Sequence, residues 1–129
     1  MNQLIQPPPR IAIVDDDPAL RLVFAIALET EGLQTEAYSG PTDFLEKRAV
    51  EGVDALIVDL RMPGEMSGLT LVEKIKKDGV EIPVILCSAN ITLRIERIAK
   101  EIGVEAVLRK PVSPYELRRR VHDVLERTA

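Results

Sequence analysis

The sequence predicts an α/β domain, a doubly wound parallel sheet built from a (βα)5 pattern. Two observations predict it. Short apolar runs (Ile11-Ala12-Ile13-Val14, Ala55-Leu56-Ile57-Val58, Val84-Ile85-Leu86-Cys87) alternate with longer stretches of helical spacing. Runs this short do not make helices, and strands apolar on both sides belong to a parallel sheet covered on both faces. The second observation is where the runs stop: each ends abruptly on a polar or charged residue.

Residues 1–9 read as a tail, because Pro7-Pro8-Pro9 prefers an extended backbone without hydrogen bonds, and residues 10–129 read as one domain. The first strand, Ile11 to Val14, stops at Asp15-Asp16-Asp17. Asp17 then suits a helix cap and Pro18 a first helical position. Leu20, Val23, Phe24, Ala27 and Leu28 mark the inward face of that helix, which Gly32 closes. Thr35 to Tyr38 is the second strand, and a short helix after Pro41 turns Phe44 and Leu45 inward. The third strand ends at Asp59, and the helix after Gly68 turns Leu69, Val72 and Ile75 inward. The fourth strand ends at Ser88, and Ile95, Ile98, Ala99 and Ile102 mark a helix closed by Gly103. Ala106 to Arg109 is the fifth strand, ending at Lys110. Ser113-Pro114-Tyr115-Glu116 is a capping box before a helix with Leu117, Val121, Val124 and Leu125 inward.

Composition bounds the function. The chain has 129 residues, 46% of them hydrophobic, which suits one globular core. A net charge of −4 argues against nucleic-acid binding through charge. No apolar run approaches the roughly 20 residues that span a bilayer, and there is no signal-peptide core. The one cysteine, Cys87, cannot form an internal disulfide, so a reducing, cytoplasmic setting is expected.

Strands of a parallel sheet point the same way, so Asp15, Asp16, Asp59, Ser88 and Lys110 share one edge. Ligands of open α/β sheets bind at that edge, where the winding reverses. A flavodoxin-like strand order of 2-1-3-4-5 makes strands 1 and 3 neighbours and brings Asp16 to Asp59. Three carboxylates in one pocket repel one another unless a cation is present, and hard oxygen ligands select Mg2+ or a similar ion. Lys110 supplies positive charge for an incoming phosphoryl group, and Ser88 a hydroxyl donor. An aspartate nucleophile that forms an acyl phosphate is known chemistry.

Val14-Asp15-Asp16-Asp17, Asp59-x-x-Met62-Pro63 with a later Gly68, Ser88-Ala89 and Lys110-Pro111 together resemble the receiver domain of two-component response regulators, over about residues 10 to 127. The resemblance implies these roles. Asp59 accepts a phosphoryl group from a phosphohistidine on a sensor histidine kinase or histidine phosphotransfer protein. Asp16 and Asp59 ligate Mg2+ directly with the backbone carbonyl of Arg61, and Asp15 acts through a water on the metal. Ser88 and Lys110 contact phosphoryl oxygens, and the Lys110-Pro111 bond is cis. Such a module is a phosphoacceptor that catalyses its own phosphorylation and dephosphorylation, not a turnover enzyme. Its partners include neither nucleic acid nor membrane. It is expected to stand alone or to be part of a hybrid kinase or transcription regulator.

The sequence departs from the receiver pattern in places. Val107 stands where an aromatic switch residue is usual, the Asp59–Gly68 loop is one residue longer than the commonest form, and Arg61 and Asn90 flank the phosphoryl site. On the first helix Leu22, Ala25 and Ile26 lie away from the core face. Two readings remain for them: a kinase-docking patch, or a face covered by the tail or by a second copy. The face formed by helix 4, strand 5 and helix 5, with Leu93, Val107 and Tyr115, is the expected output and homodimer surface. A Mg2+-dependent aspartyl-phosphate phosphatase is the rival reading. It needs a second aspartate two residues after Asp59, where Arg61 stands. A flavin domain would need a phosphate-cradling loop, not an acidic one, after the first strand.

Overall fold

The structure is a computed structural model that describes residues 7–47, 51–61 and 67–128. Its elements run β1 (Arg10–Val14), α1 (Pro18–Glu29), β2 (Gln34–Tyr38), α2 (Pro41–Glu46), β3 (Ala55–Asp59), α3 (Gly68–Lys77), β4 (Val84–Ser88), α4 (Leu93–Glu101), β5 (Ala106–Arg109) and α5 (Pro114–Thr128). The strands form one parallel sheet in the order β2-β1-β3-β4-β5, as the sequence predicts. This is a flavodoxin-like α/β fold.

Alternate side chains of each strand enter two separate cores. Ile11, Ile13, Ile57, Ile85, Cys87 and Leu108 pack with Phe24 and Leu28 of α1 and Leu117, Val121 and Val124 of α5. On the other face Ala12, Val14, Leu56, Val58 and Leu86 pack with Phe44 of α2, Leu71, Val72 and Ile75 of α3, and Ala99 of α4. Every residue of β3 and β4 is buried, which is why those strands read as unbroken apolar runs. Gly32, at φ 83°, ends α1 in a conformation that a Cβ would strain.

The inward face of α1 differs from the expectation at two positions. Val23 is 45% exposed, whereas Ala25 is half-buried against the core. α1 packs against α5, and Ala25 lies against the core to which both helices contribute, while Leu22, Val23 and Ile26 stay open. The exposed apolar residues of α1 are therefore Leu22, Val23 and Ile26.

Met62 and Pro63 of the motif, and the rest of the loop up to residue 66, lie outside the described residues. Among the described residues no helix is long and apolar enough to cross a membrane.

Candidate functional site

The β1–β3 pairing places Val14 opposite Val58, so the residues that follow, Asp15 and Asp59, emerge side by side. Asp15 is 2% exposed and Asp59 7%. Asp15 donates its N–H to the Tyr38 carbonyl at 3.1 Å, which fixes its backbone to the end of β2. Its Oδ1 accepts the Asp17 N–H at 2.9 Å. Arg21, one turn into α1, donates from Nη1 to the Asp15 carbonyl at 2.7 Å. Asp17 caps α1 by accepting the N–H groups of Ala19 and Leu20, the structural role expected of it. Asp16, between them, is exposed and turned toward the solvent side of the pocket.

Lys110 closes the pocket from β5. Its ammonium donates to Asp15 Oδ2 and to Asp59 Oδ2, each at 2.9 Å. Asp59 Oδ1 accepts the Arg61 N–H at 3.2 Å. Burial pushes the Asp59 carboxyl above its ordinary pKa; the Lys110 bond and charge and the Arg61 N–H oppose this, and the Asp15 charge adds to it. Burial alone would lower the Lys110 ammonium, but the bonds to Asp59 and Asp15 and their charges outweigh it and raise the pKa. The Lys110–Pro111 peptide is cis, as the resemblance implies.

The carboxylates of Asp15, Asp16 and Asp59 each offer an oxygen within 4.8 Å of the others. Lys110 balances one negative charge of the three. The set is all hard oxygen and remains acidic, which is the chemistry of a divalent-cation site.

Ser88 ends β4 and is 1% exposed. Its Oγ accepts the Asn90 N–H at 3.3 Å, and its carbonyl accepts the Lys110 N–H at 2.9 Å. Cys87, the register partner of Asp59, is buried and its thiol is pushed up to about 12 by desolvation, so it serves as a small space-filling residue. Gly68 begins α3 with its Cα pressed on Asp59. A β-carbon there would overlap the Asp59 carbonyl oxygen and lie 2.9 Å from the carbonyl carbon. Val107 is half-buried against the second core. His122 is exposed on α5, 3.6 Å from Glu126, as a solvated side chain.

Two side chains near this edge were not assigned roles from the sequence. Arg21 holds the Asp15 carbonyl, and Arg109 donates from Nη2 to the Ile91 carbonyl at 3.0 Å. Arg21 stands one turn after the Asp17 cap, a spacing that could have pointed to it; nothing in the pattern of β5 signals where Arg109 reaches.

Comparison with known proteins bears directly on this pocket. A CheY-like response regulator receiver domain protein from Methanospirillum hungatei is 28% identical, covers 93% of this chain and 95% of its own, and superposes with a TM-score of 0.86. The BeF3-activated DrrB receiver domain is 26% identical with a TM-score of 0.83, over 92% of this chain and 98% of its own. A protein-glutamate methylesterase/protein-glutamine glutaminase of Cereibacter sphaeroides is 34% identical over 117 residues, 88% of this chain. The chain spans 31% of that relative's length. The profile of the response regulator receiver domain matches residues 11–122. With the acidic triad at the switch point of a 2-1-3-4-5 sheet, the chain belongs to the response regulator receiver domain family.

Proposed function

We propose that the chain is a phosphorylation-dependent switch of a two-component system, with Asp59 as the phosphoacceptor. One observation carries the reading. Lys110 stands between Asp15 and Asp59 at 2.9 Å from each, beside a third carboxylate, at the edge where the fold binds ligands. A receiver implies a phosphodonor. In our reading the donor is a phosphohistidine of a sensor kinase or phosphotransfer protein.

In the reaction an Asp59 oxygen attacks phosphorus, the P–N bond of the phosphohistidine breaks, and its electron pair leaves with the imidazole, which takes up a proton. The product is an acyl phosphate. Attack needs the carboxylate ionised, and Lys110 and the Arg61 N–H counter part of the burial that opposes ionisation. After transfer Lys110 is placed to pair with a phosphoryl oxygen. The Ser88 hydroxyl, which accepts from Asn90, keeps its own proton for donation to another. Asp15, Asp16 and Asp59, with the Arg61 carbonyl, are the residues that would hold Mg2+, which when bound supplies positive charge against the phosphoryl oxygens.

The exposed strip Leu22, Val23 and Ile26 beside the pocket supports docking of the donor on α1, with Ala25 beneath it as packing in place of a contact. Leu93, 80% exposed, and Tyr115, 69% exposed, support an output or homodimer surface on α4, β5 and α5, in which Val107 lies below the surface. The module works as a switch and not as a turnover enzyme. Against the phosphatase alternative, Arg61 is exposed and contributes its backbone N–H, where a general acid would be needed. A cytoplasmic setting suits the reduced, buried Cys87. Incubation with Mg2+ and acetyl phosphate followed by intact mass tests the reading. One added phosphoryl group is expected in the wild type and none in Asp59→Asn; an unmodified wild type contradicts it.

A further inference from the structure

Residues 109 and 110 grip the β4–α4 loop at two points. The Lys110 N–H donates to the Ser88 carbonyl at 2.9 Å. Arg109, the register partner of Ser88, reaches along the loop to the Ile91 carbonyl at 3.0 Å. Between these points the loop folds on itself through the Asn90 N–H and Ser88 Oγ. Ile91 is 7% exposed, and the next residue, Thr92, caps α4 by taking the Ile95 N–H on its hydroxyl at 3.1 Å. Ile91 precedes the cap, so its carbonyl lies outside the helix's own bonds, and the Arg109 guanidinium is the donor it meets. The bond is charge-assisted, and the guanidinium fork is stiff, so it holds position better than a neutral or flexible donor.

The placement on β5 adds to this. The strand alternates buried, half-buried, buried and exposed from Ala106 to Arg109, so Val107 and Arg109 share a face. Val107 packs into the core on the α4 side but carries no polar tip. On this face the polar link from β5 to the loop after Ser88 is Arg109.

We propose that Arg109 is a positioning residue. Its bond to the Ile91 carbonyl holds the β4–α4 loop, closure of Ser88 on a phosphoryl group breaks that bond, and the bond so sets how readily Ser88 closes. The proposal rests on the reading of Asp59 as phosphoacceptor. On this proposal a ligand that favours closure works against the bond, and removing the bond raises that ligand's apparent affinity. Arg109 contacts neither Asp15, Asp59 nor Lys110 in the network described, so cation binding in the pocket serves as the internal control.

The test is calorimetric binding of beryllofluoride, a phosphoryl mimic, to the full chain in saturating Mg2+, beside titration with Mg2+ alone. Arg109→Ala, an exposed position, is expected to bind beryllofluoride at least about threefold tighter while its Mg2+ affinity stays within about twofold of wild type. Unchanged or weaker beryllofluoride binding overturns the proposal. So does an equal shift in Mg2+ affinity, which would assign the effect to lost positive charge. If the wild type itself fails to bind beryllofluoride, the phosphoacceptor reading falls; wild-type binding with an unaltered Arg109→Ala overturns the clamp alone.

Discussion

The Lys110 ammonium stands 2.9 Å from Oδ2 of Asp59 in a salt bridge whose side chains are 19% and 9% exposed. The same ammonium holds Asp15 at an equal distance. Removing it leaves two buried carboxylates facing each other without their shared counter-charge. Lys110→Met is expected to raise the Asp59 pKa further and to lower stability by about 1–3 kcal/mol, read from the urea midpoint at neutral pH. A variant as stable as wild type would show that the bridge contributes only to chemistry.

The raised Asp59 pKa fixes the sign of a pH effect. A carboxyl that ionises less readily folded than unfolded costs stability once it is ionised. The cost grows as pH rises from the ordinary value of 3.8 through the elevated folded pKa and is complete above it. Asp59→Asn is therefore expected to be more stable than wild type near pH 7, with the difference shrinking to nothing as pH falls below the ordinary carboxylate range. Lys110 titrates at the other end: its raised pKa contributes stability below 10.5 that is lost as pH rises through the folded value. Chemical unfolding of both proteins across acid and neutral pH checks the Asp59 sign.

Cation binding should follow the same logic. If Mg2+ binds the folded pocket and not the unfolded chain, as proposed, the unfolding temperature of wild type rises with the logarithm of its concentration above the dissociation constant. Asp16→Asn, at the exposed member of the triad, should lose most of that increase while leaving the metal-free melting temperature within about 3 °C of wild type, since exposed substitutions usually cost under about 0.5 kcal/mol. An equal Mg2+ response in both proteins would remove Asp16 from the ligand set.

Gly68 separates backbone fit from chemistry. Its substitution by alanine drives a β-carbon into the Asp59 backbone, which cannot yield as a flexible side chain would. A loss of about 2–4 kcal/mol is expected for Gly68→Ala. Gly40→Ala, where a β-carbon meets nothing within 4 Å, should cost no more than a few tenths of that range. Equal denaturation midpoints for the two variants would contradict the close approach.

Docking on α1 predicts a split between donors. Leu22→Lys and Ile26→Lys, 61% and 56% exposed in the wild type, should slow phosphotransfer from the cognate kinase at least about tenfold and leave acetyl phosphate reactivity unchanged. Slowing with both donors would point to damage at the pocket.

Much of this architecture is legible in the chain because the buried strands are short apolar runs that stop on a polar or charged residue. Asp59, Ser88 and Lys110 are fixed by strand ends alone. The α1 surface was less legible. A helical wheel weighs Val23 and Ala25 by spacing, but Ala25 is covered by a core to which α5, nearly a hundred residues away in the chain, also contributes. Arg21 and Arg109 escaped for a related reason: both donate to backbone carbonyls, and a carbonyl partner leaves no mark on residue identity.

The most direct measurement is to locate the phosphoryl group itself. The chain would be phosphorylated from a phosphohistidine donor in Mg2+, reduced with borohydride to convert any acyl phosphate to an alcohol, and mapped by peptide mass spectrometry. The account predicts reduction at Asp59 alone, with Asp15 and Asp16 unmodified. Reduction at Asp15 or Asp16, or a phosphoryl group on Ser88 or His122 in the unreduced sample, would contradict it.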